Sequence, residues 1–148
     1  MSFMNGDPIL LVEDNPDDVT FIRRAFKKNG ITNRIVVAPD GEQALALLLP
    51  REGAPPRLSV VLLDVKLPKI DGLEVLRTIR ADFRTQTLPV VVLTTSNEER
   101  DIVASYRLGA NSFVRKPMQF TEFVDATRIL GLYWLLVNLP APGPTNGS

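Results

Sequence analysis

The stretch Ser59-Val-Val-Leu-Leu-Asp64-Val-Lys-Leu-Pro68 constrains the fold of this chain more than any other. A run of β-prone apolar residues meets a single carboxylate, with Lys66 and Pro68 close behind. An apolar run without alternation reads as a strand covered on both faces, the pattern of a parallel sheet. Asp64 then falls at the carboxyl end of a central strand, the edge at which open α/β sheets bind ligands. Taken alone, the stretch favours the plainer reading, in which Asp64 merely ends the strand and starts a turn. The rest of the chain decides between the two.

Before that run, Ile9-Leu-Leu-Val12 reads as a short buried strand followed at once by Glu13-Asp14. Asn15 suits a helix N-cap, Pro16 the first helical position, and Asp17 and Asp18 the positive end of the helix dipole. Val19, Ile22 and Phe26 form the apolar stripe, and Asn29-Gly30 is a stop signal. Arg34 to Ala38 is a second strand, and Glu42 to Leu49 a helix rich in Ala and Leu. The loop from Pro50 to Pro56 contains adjacent prolines, which argue against regular structure.

Past Asp64, a helix is expected from near Leu73, with Leu73, Leu76 and Ile79 inward and Arg77 and Arg80 exposed. Pro89 to Leu93 is a further buried strand ending in Thr94-Thr95-Ser96. A helix capped by Asn97 follows from Glu98 to Leu108, with Gly109 at its end. Ser112 to Arg115 is a last short strand, ended by Lys116-Pro117, and a final helix runs from about Phe120 to Val137. Strands and helices alternate throughout. The expected fold class is α/β: one doubly wound, five-stranded parallel sheet of flavodoxin-like type with helices on both faces. One domain over residues 1–138 and a disordered Pro/Gly-rich tail over 139–148 complete the expectation.

Composition removes several function classes. Lys+Arg and Asp+Glu are both 17, which gives no net pull toward nucleic acid or an anionic membrane. With no Cys, disulfide and thiolate chemistry are absent, and a reducing cytoplasm fits. With no His, imidazole acid–base catalysis, His metal ligands and phosphohistidine relay are absent too. The opening residues lack the basic and apolar regions of a signal peptide.

What remains is chemistry by acids, hydroxyls and amines. Each polar group of interest follows a buried strand: Glu13-Asp14, Asp64, Thr94-Thr95 and Lys116. A parallel sheet brings all of these strand ends to one edge. Acids gathered there repel one another unless a cation intervenes or their pKa values shift. Oxygen ligands without His or Cys favour Mg²⁺. Lys116 offers a point charge to a phosphoryl oxygen and Thr94 a hydrogen bond. Phosphoryl transfer to a carboxylate uses these parts.

The chain resembles the receiver domain of two-component response regulators. Leu11-Val-Glu13-Asp14-Asn15, Leu62-Leu-Asp64 with Leu67-Pro68 and Asp71-Gly72, Leu93-Thr94-Thr95, Gly109-Ala110 and Lys116-Pro117 carry the resemblance. It spans roughly Pro8 to Leu130. It implies Asp64 as phosphoacceptor, phosphorylated by a histidine kinase. Mg²⁺ would be held by Asp14, Asp64 and the carbonyl of Lys66, with Glu13 assisting through water. Glu13 stands where many members have Asp. Thr94 would be the switch hydroxyl, Lys116 the phosphoryl-binding cation and Phe113 the aromatic that follows Thr94, although Phe113 reads equally as plain core. Thr95 is expected to contribute its backbone N–H rather than its hydroxyl. Lys66 and Ser96 are candidates for tuning dephosphorylation, and Lys116-Pro117 is expected to be cis. Asp17 and Asp18 are read as helix-start acids, not ligands.

Ile129 to Val137 is apolar nearly all round, more than one core-facing stripe requires, and too short for a membrane span. It is read as a homodimer or partner surface through Leu132, Tyr133 and Leu136 rather than as a wholly buried helix. With this helix and the Pro-rich loop, the chain is similar to the stand-alone regulators that partner bacterial phytochrome histidine kinases. No output domain is expected, so signalling would be by surface change. The chain is read as a phosphoacceptor with self-phosphorylation and autodephosphorylation chemistry, not a conventional turnover enzyme. A receiver-fold interaction module that is never phosphorylated is the alternative. A small Asp-dependent phosphatase fits poorly, because its second acid would fall at Lys66.

Overall fold

The computed structural model describes residues 6–94 and 99–115, together with Thr121, Glu122, Val124, Asp125 and Arg128. At residues 94, 99–101 and 112–115 the description is of the backbone alone. Strands β1 (Ile9–Val12), β2 (Ile35–Ala38), β3 (Val60–Leu63), β4 (Val90–Thr94) and β5 (Ser112–Arg115) alternate with helices α1 (Pro16–Lys28), α2 (Gly41–Leu48), α3 (Gly72–Ala81) and α4 (Glu99–Arg107). The strands form one parallel sheet in the order β2-β1-β3-β4-β5. The chain thus runs outward from β1 in both directions, and the order reverses between β1 and β3. A crevice opens at such a point, outside the carboxyl ends of the strands.

Alternation along each strand divides the core between two faces. Ile9, Leu11, Val60, Leu62, Val91 and Leu93 pack with Ile22, Ala25 and Phe26 of α1. Leu10, Val12, Val61, Leu63, Val90 and Val92 pack with α2 and α3 through Ala44, Leu48, Val75, Leu76 and Ile79. Both faces of β1 and β3 are therefore dry, which explains runs of apolar residues with no polar alternation. Each such side chain contributes about 1.5–3 kcal/mol of burial.

The helix starts follow their caps. Asn15 accepts from the N–H groups of Asp17 (2.8 Å) and Asp18 (3.4 Å), with Pro16 at the first helical position. Asp40 caps α2, which begins at Gly41, one residue earlier than expected. Asp71 caps α3 through Leu73 N–H at 2.8 Å. Thr121, Glu122, Val124, Asp125 and Arg128 have helical backbone, and Asn29 Nδ2 donates to the Val124 carbonyl at 2.8 Å. The remainder of the expected last helix, its Leu132, Tyr133 and Leu136 surface, and the tail lie outside the described residues. Among the described residues, no helix is long and apolar enough to cross a membrane.

Two expectations about α3 need correction. Its inward face includes Val75, while Leu73 is only partly buried. Arg80 is not on an exposed side. Its guanidinium donates to the carbonyls of Gly109 (3.0 and 2.8 Å), Gln86 (3.1 Å) and Leu88 (2.7 Å), and to Asn111 Oδ1 (3.1 Å). Burial lowers its pKa from the ordinary arginine value. A long apolar stem lets arginine leave the solvent side of a helix and carry five donors to loop carbonyls.

Candidate functional site

Strand pairing builds the site. Val12 pairs with Leu63, so the residues after them, Glu13 and Asp64, emerge side by side at the crevice. The backbone fixes both: Asp64 N–H donates to the Val12 carbonyl, and Glu13 N–H to the Ala38 carbonyl, each at 3.1 Å. Carboxylate oxygens of Glu13, Asp14 and Asp64 lie within 4.8 Å of one another. Glu13 and Asp64 are buried, at 2% and 7% exposure, whereas Asp14 faces solvent. Glu13 Oε2 accepts from Asn15 N–H at 3.3 Å, and Asp64 Oδ1 from Lys66 N–H at 3.2 Å. Asp17 and Asp18 occupy the first turn of α1 and are not in the cluster.

Three like charges this close, two of them shielded from water, fit a hard divalent cation with oxygen ligands. The longer Glu13 side chain reaches the same cluster as the two Asp side chains. An open groove of about 350 Å³ runs from Glu13 and Asp14 along Pro16, Val19, Thr20, Val37 and Pro39.

The loop after Asp64 is shaped by two glycines. A Cβ on Gly72 would overlap the Asp64 carbonyl and stand 2.7 Å from Val65 Cα, so only glycine lets α3 start against the backbone of Asp64. Gly72 N–H donates to the Val65 carbonyl at 2.9 Å. A Cβ on Gly41 would overlap the Ile70 carbonyl. Lys69, between them, has φ 67° and an ion pair of 3.6 Å to Asp40. The Lys66 side chain is exposed, and its N–H is placed on Asp64.

Of the other expected site residues, Thr94 ends β4 on the same edge. Leu63 pairs with Val92, which puts Thr94 one position beyond the level of Asp64. Phe113 pairs with Val92 inside β5, and the side chains of Thr94 and Phe113 are outside the description. Thr95, Ser96, Lys116 and the Lys116-Pro117 bond lie outside the described residues. The Asp40–Lys69 contact was not foreseen. Half of its signal was legible, since Asp40-Gly-Glu-Gln43 is a helix-capping pattern.

Residues 9–128 match the family model described as response regulator receiver domain. The chain belongs to the receiver domain family. It is 43% identical over 137 residues to the probable methanogenesis regulatory protein FilR2 of Methanothrix harundinacea, covering 92% of this chain and 88% of that protein. The Mn²⁺-bound form of response regulator Rcp1, a Synechocystis protein, superposes with a TM-score of 0.79 at 37% identity over 90% of this chain and 99% of that one. The phosphorylated cyanobacterial phytochrome response regulator RcpA gives 0.76 at 36% identity, over 87% and 94%. The receiver fold read from the sequence is thereby shown, and so is the kinship with phytochrome response regulators.

Proposed function

We propose that this receiver takes a phosphoryl group from a histidine kinase onto Asp64 and signals by the surface change that follows. The observation that carries this reading is the meeting of Glu13, Asp14 and Asp64 at the ends of β1 and β3. A cluster of that kind costs folding energy and has no use in a plain scaffold.

Asp64 attacks the phosphorus of a phosphohistidine. Its new O–P bond forms as the P–N bond breaks, and the imidazole leaves with the bonding pair. Asp14, Asp64, Glu13 and the carbonyl of Lys66 would hold Mg²⁺, which supplies charge neutralisation for the incoming phosphoryl oxygens. Lys116 pairs with one phosphoryl oxygen, and the Thr94 hydroxyl donates to another. By the resemblance to the family, Thr94 would move toward the phosphoryl group and Phe113 would change rotamer with it. The acyl phosphate later reverts when water attacks phosphorus, releasing inorganic phosphate and the Asp64 carboxylate.

Kinship with the phytochrome response regulator RcpA supports a phytochrome-type kinase as donor, and a cytoplasmic setting goes with that partner. Leu132, Tyr133 and Leu136 would form the surface for a second copy within one domain over residues 1–138. The test is transfer from such a kinase after its autophosphorylation with labelled ATP. Label should pass to the wild-type chain only with a divalent ion, and not to Asp64→Asn. Label that reaches both chains equally sinks the assignment of Asp64.

A further inference from the structure

The loop between β3 and α3 is anchored near its middle by a group that belongs to another element. Lys69 is the non-glycine residue with left-handed backbone among the described residues, at φ 67°, a conformation that L side chains disfavour. Its ammonium lies 3.6 Å from Asp40 Oδ2. Asp40 is buried and immobilised as the cap of α2, accepting from Gln43 N–H at 2.8 Å and from Gln43 Nε2 at 2.9 Å. The Gln43 N–H is the main reason that the Asp40 carboxyl lies below its ordinary value, with Lys69 adding to it. It is ionised at neutral pH. Ile70, the next residue, presses on Gly41, where a Cβ would stand 2.8 Å from Ile70 Cβ. At the other end of the same loop, Lys66 N–H holds Asp64 Oδ1.

We propose that Asp40 and Lys69 form a latch that positions the 66–71 loop, keeping the Lys66 backbone against the Asp64 carboxylate and the divalent-ion site preformed. The inference rests on the reading of the acidic trio as a metal site. Neither residue touches the reacting atoms, so both are positioning residues. Their attraction offsets the unfavourable backbone of Lys69. Without it, Lys69 relaxes toward negative φ and carries the chain three residues upstream with it.

The test uses the full chain and Mn²⁺ alone, with binding read from the electron-spin-resonance signal of the free ion. Lys66 amide exchange is measured in parallel without metal. Asp40→Asn keeps an acceptor for Gln43 N–H but removes the charge. Lys69→Met removes the cation, and Lys69→Arg keeps it. One half-exposed ion pair should be worth roughly two- to fivefold in Mn²⁺ affinity. Each charge-removing variant should lose that much and exchange faster at Lys66. The double variant should be no weaker than either single one, and Lys69→Arg should bind as wild type. Unchanged affinity in Lys69→Met, or additive losses in the double variant, would overturn the latch. Wild type that takes up no Mn²⁺ would sink the metal reading instead. The exchange comparison then decides the latch: faster exchange in both single variants sustains it, and unchanged exchange overturns it.

Discussion

The two edges of the sheet are built on opposite electrostatic plans. At the amino-terminal edge, charge and polarity are matched inside the protein. Arg80 serves carbonyls of two loops, and Asn111 Oδ1 also accepts from Val90 N–H at 2.8 Å. Arg84 pairs with Asp82 at 3.0 Å and donates to the Pro50 carbonyl at 3.0 Å. Asn33 and Ser59 share the Asp7 carbonyl, each at 2.6 Å. At the carboxyl edge, three acids converge within 4.8 Å. One edge closes the fold, and the other holds charge in reserve for a ligand. Local rules of stability are obeyed at the first edge and broken at the second, as at a functional site.

The largest effect should come from the matched edge. Arg80→Ala removes donors from partly buried carbonyls and should cost about 2–4 kcal/mol in urea unfolding. It should leave Mn²⁺ affinity within twofold of wild type, and a large loss of affinity would show that the two edges are not separable. The carboxyl edge should respond in the reverse sense. A divalent ion at 100 times its dissociation constant should stabilise the wild type by about 2.7 kcal/mol. Asp64→Asn should raise the metal-free thermal midpoint, by removing one of three like charges, and lose most of the gain from metal. A lower metal-free midpoint for Asp64→Asn would mean that the trio is not under repulsion.

Acid titration gives the smallest effect and touches both edges. The carboxyls of Asp82 and Asp40 are held below their ordinary 3.8, Asp82 chiefly by the Arg84 side chain and Asp40 chiefly by Gln43 N–H. A depressed folded-state pKa adds stability above the unfolded value, and that stability is lost as pH falls through the folded one. Stability should therefore decline below about pH 4. Asp82→Asn and Asp40→Asn should each flatten that decline in urea titrations across this range. An unchanged slope in both variants would contradict the assignment.

The sheet was readable because its signals are local and redundant. Apolar runs such as Val60 to Leu63 have one interpretation when Asn15, Gly30 and Gly109 mark helix ends around them. The acid trio was readable for a topological reason, since parallel strands bring their ends to one edge whatever the details. Arg80 was misread because helical periodicity assigns a face to Cα, not to a guanidinium several bonds away. The Asp40–Lys69 pair was only half visible, through the capping pattern at Asp40, because 29 positions separate its members and only the strand order brings their loops together. The demand for glycine at position 72 was half visible. Asp71-Gly72 reads as the end of a loop just before a helix, but the overlap with the Asp64 carbonyl appears only in three dimensions.

The most direct test is intact mass after incubation with acetyl phosphate, with and without Mg²⁺, for wild type and Asp64→Asn. One phosphoryl adduct is expected, formed only when both Mg²⁺ and Asp64 are present. An adduct that forms equally on Asp64→Asn, or without any divalent ion, would contradict that expectation.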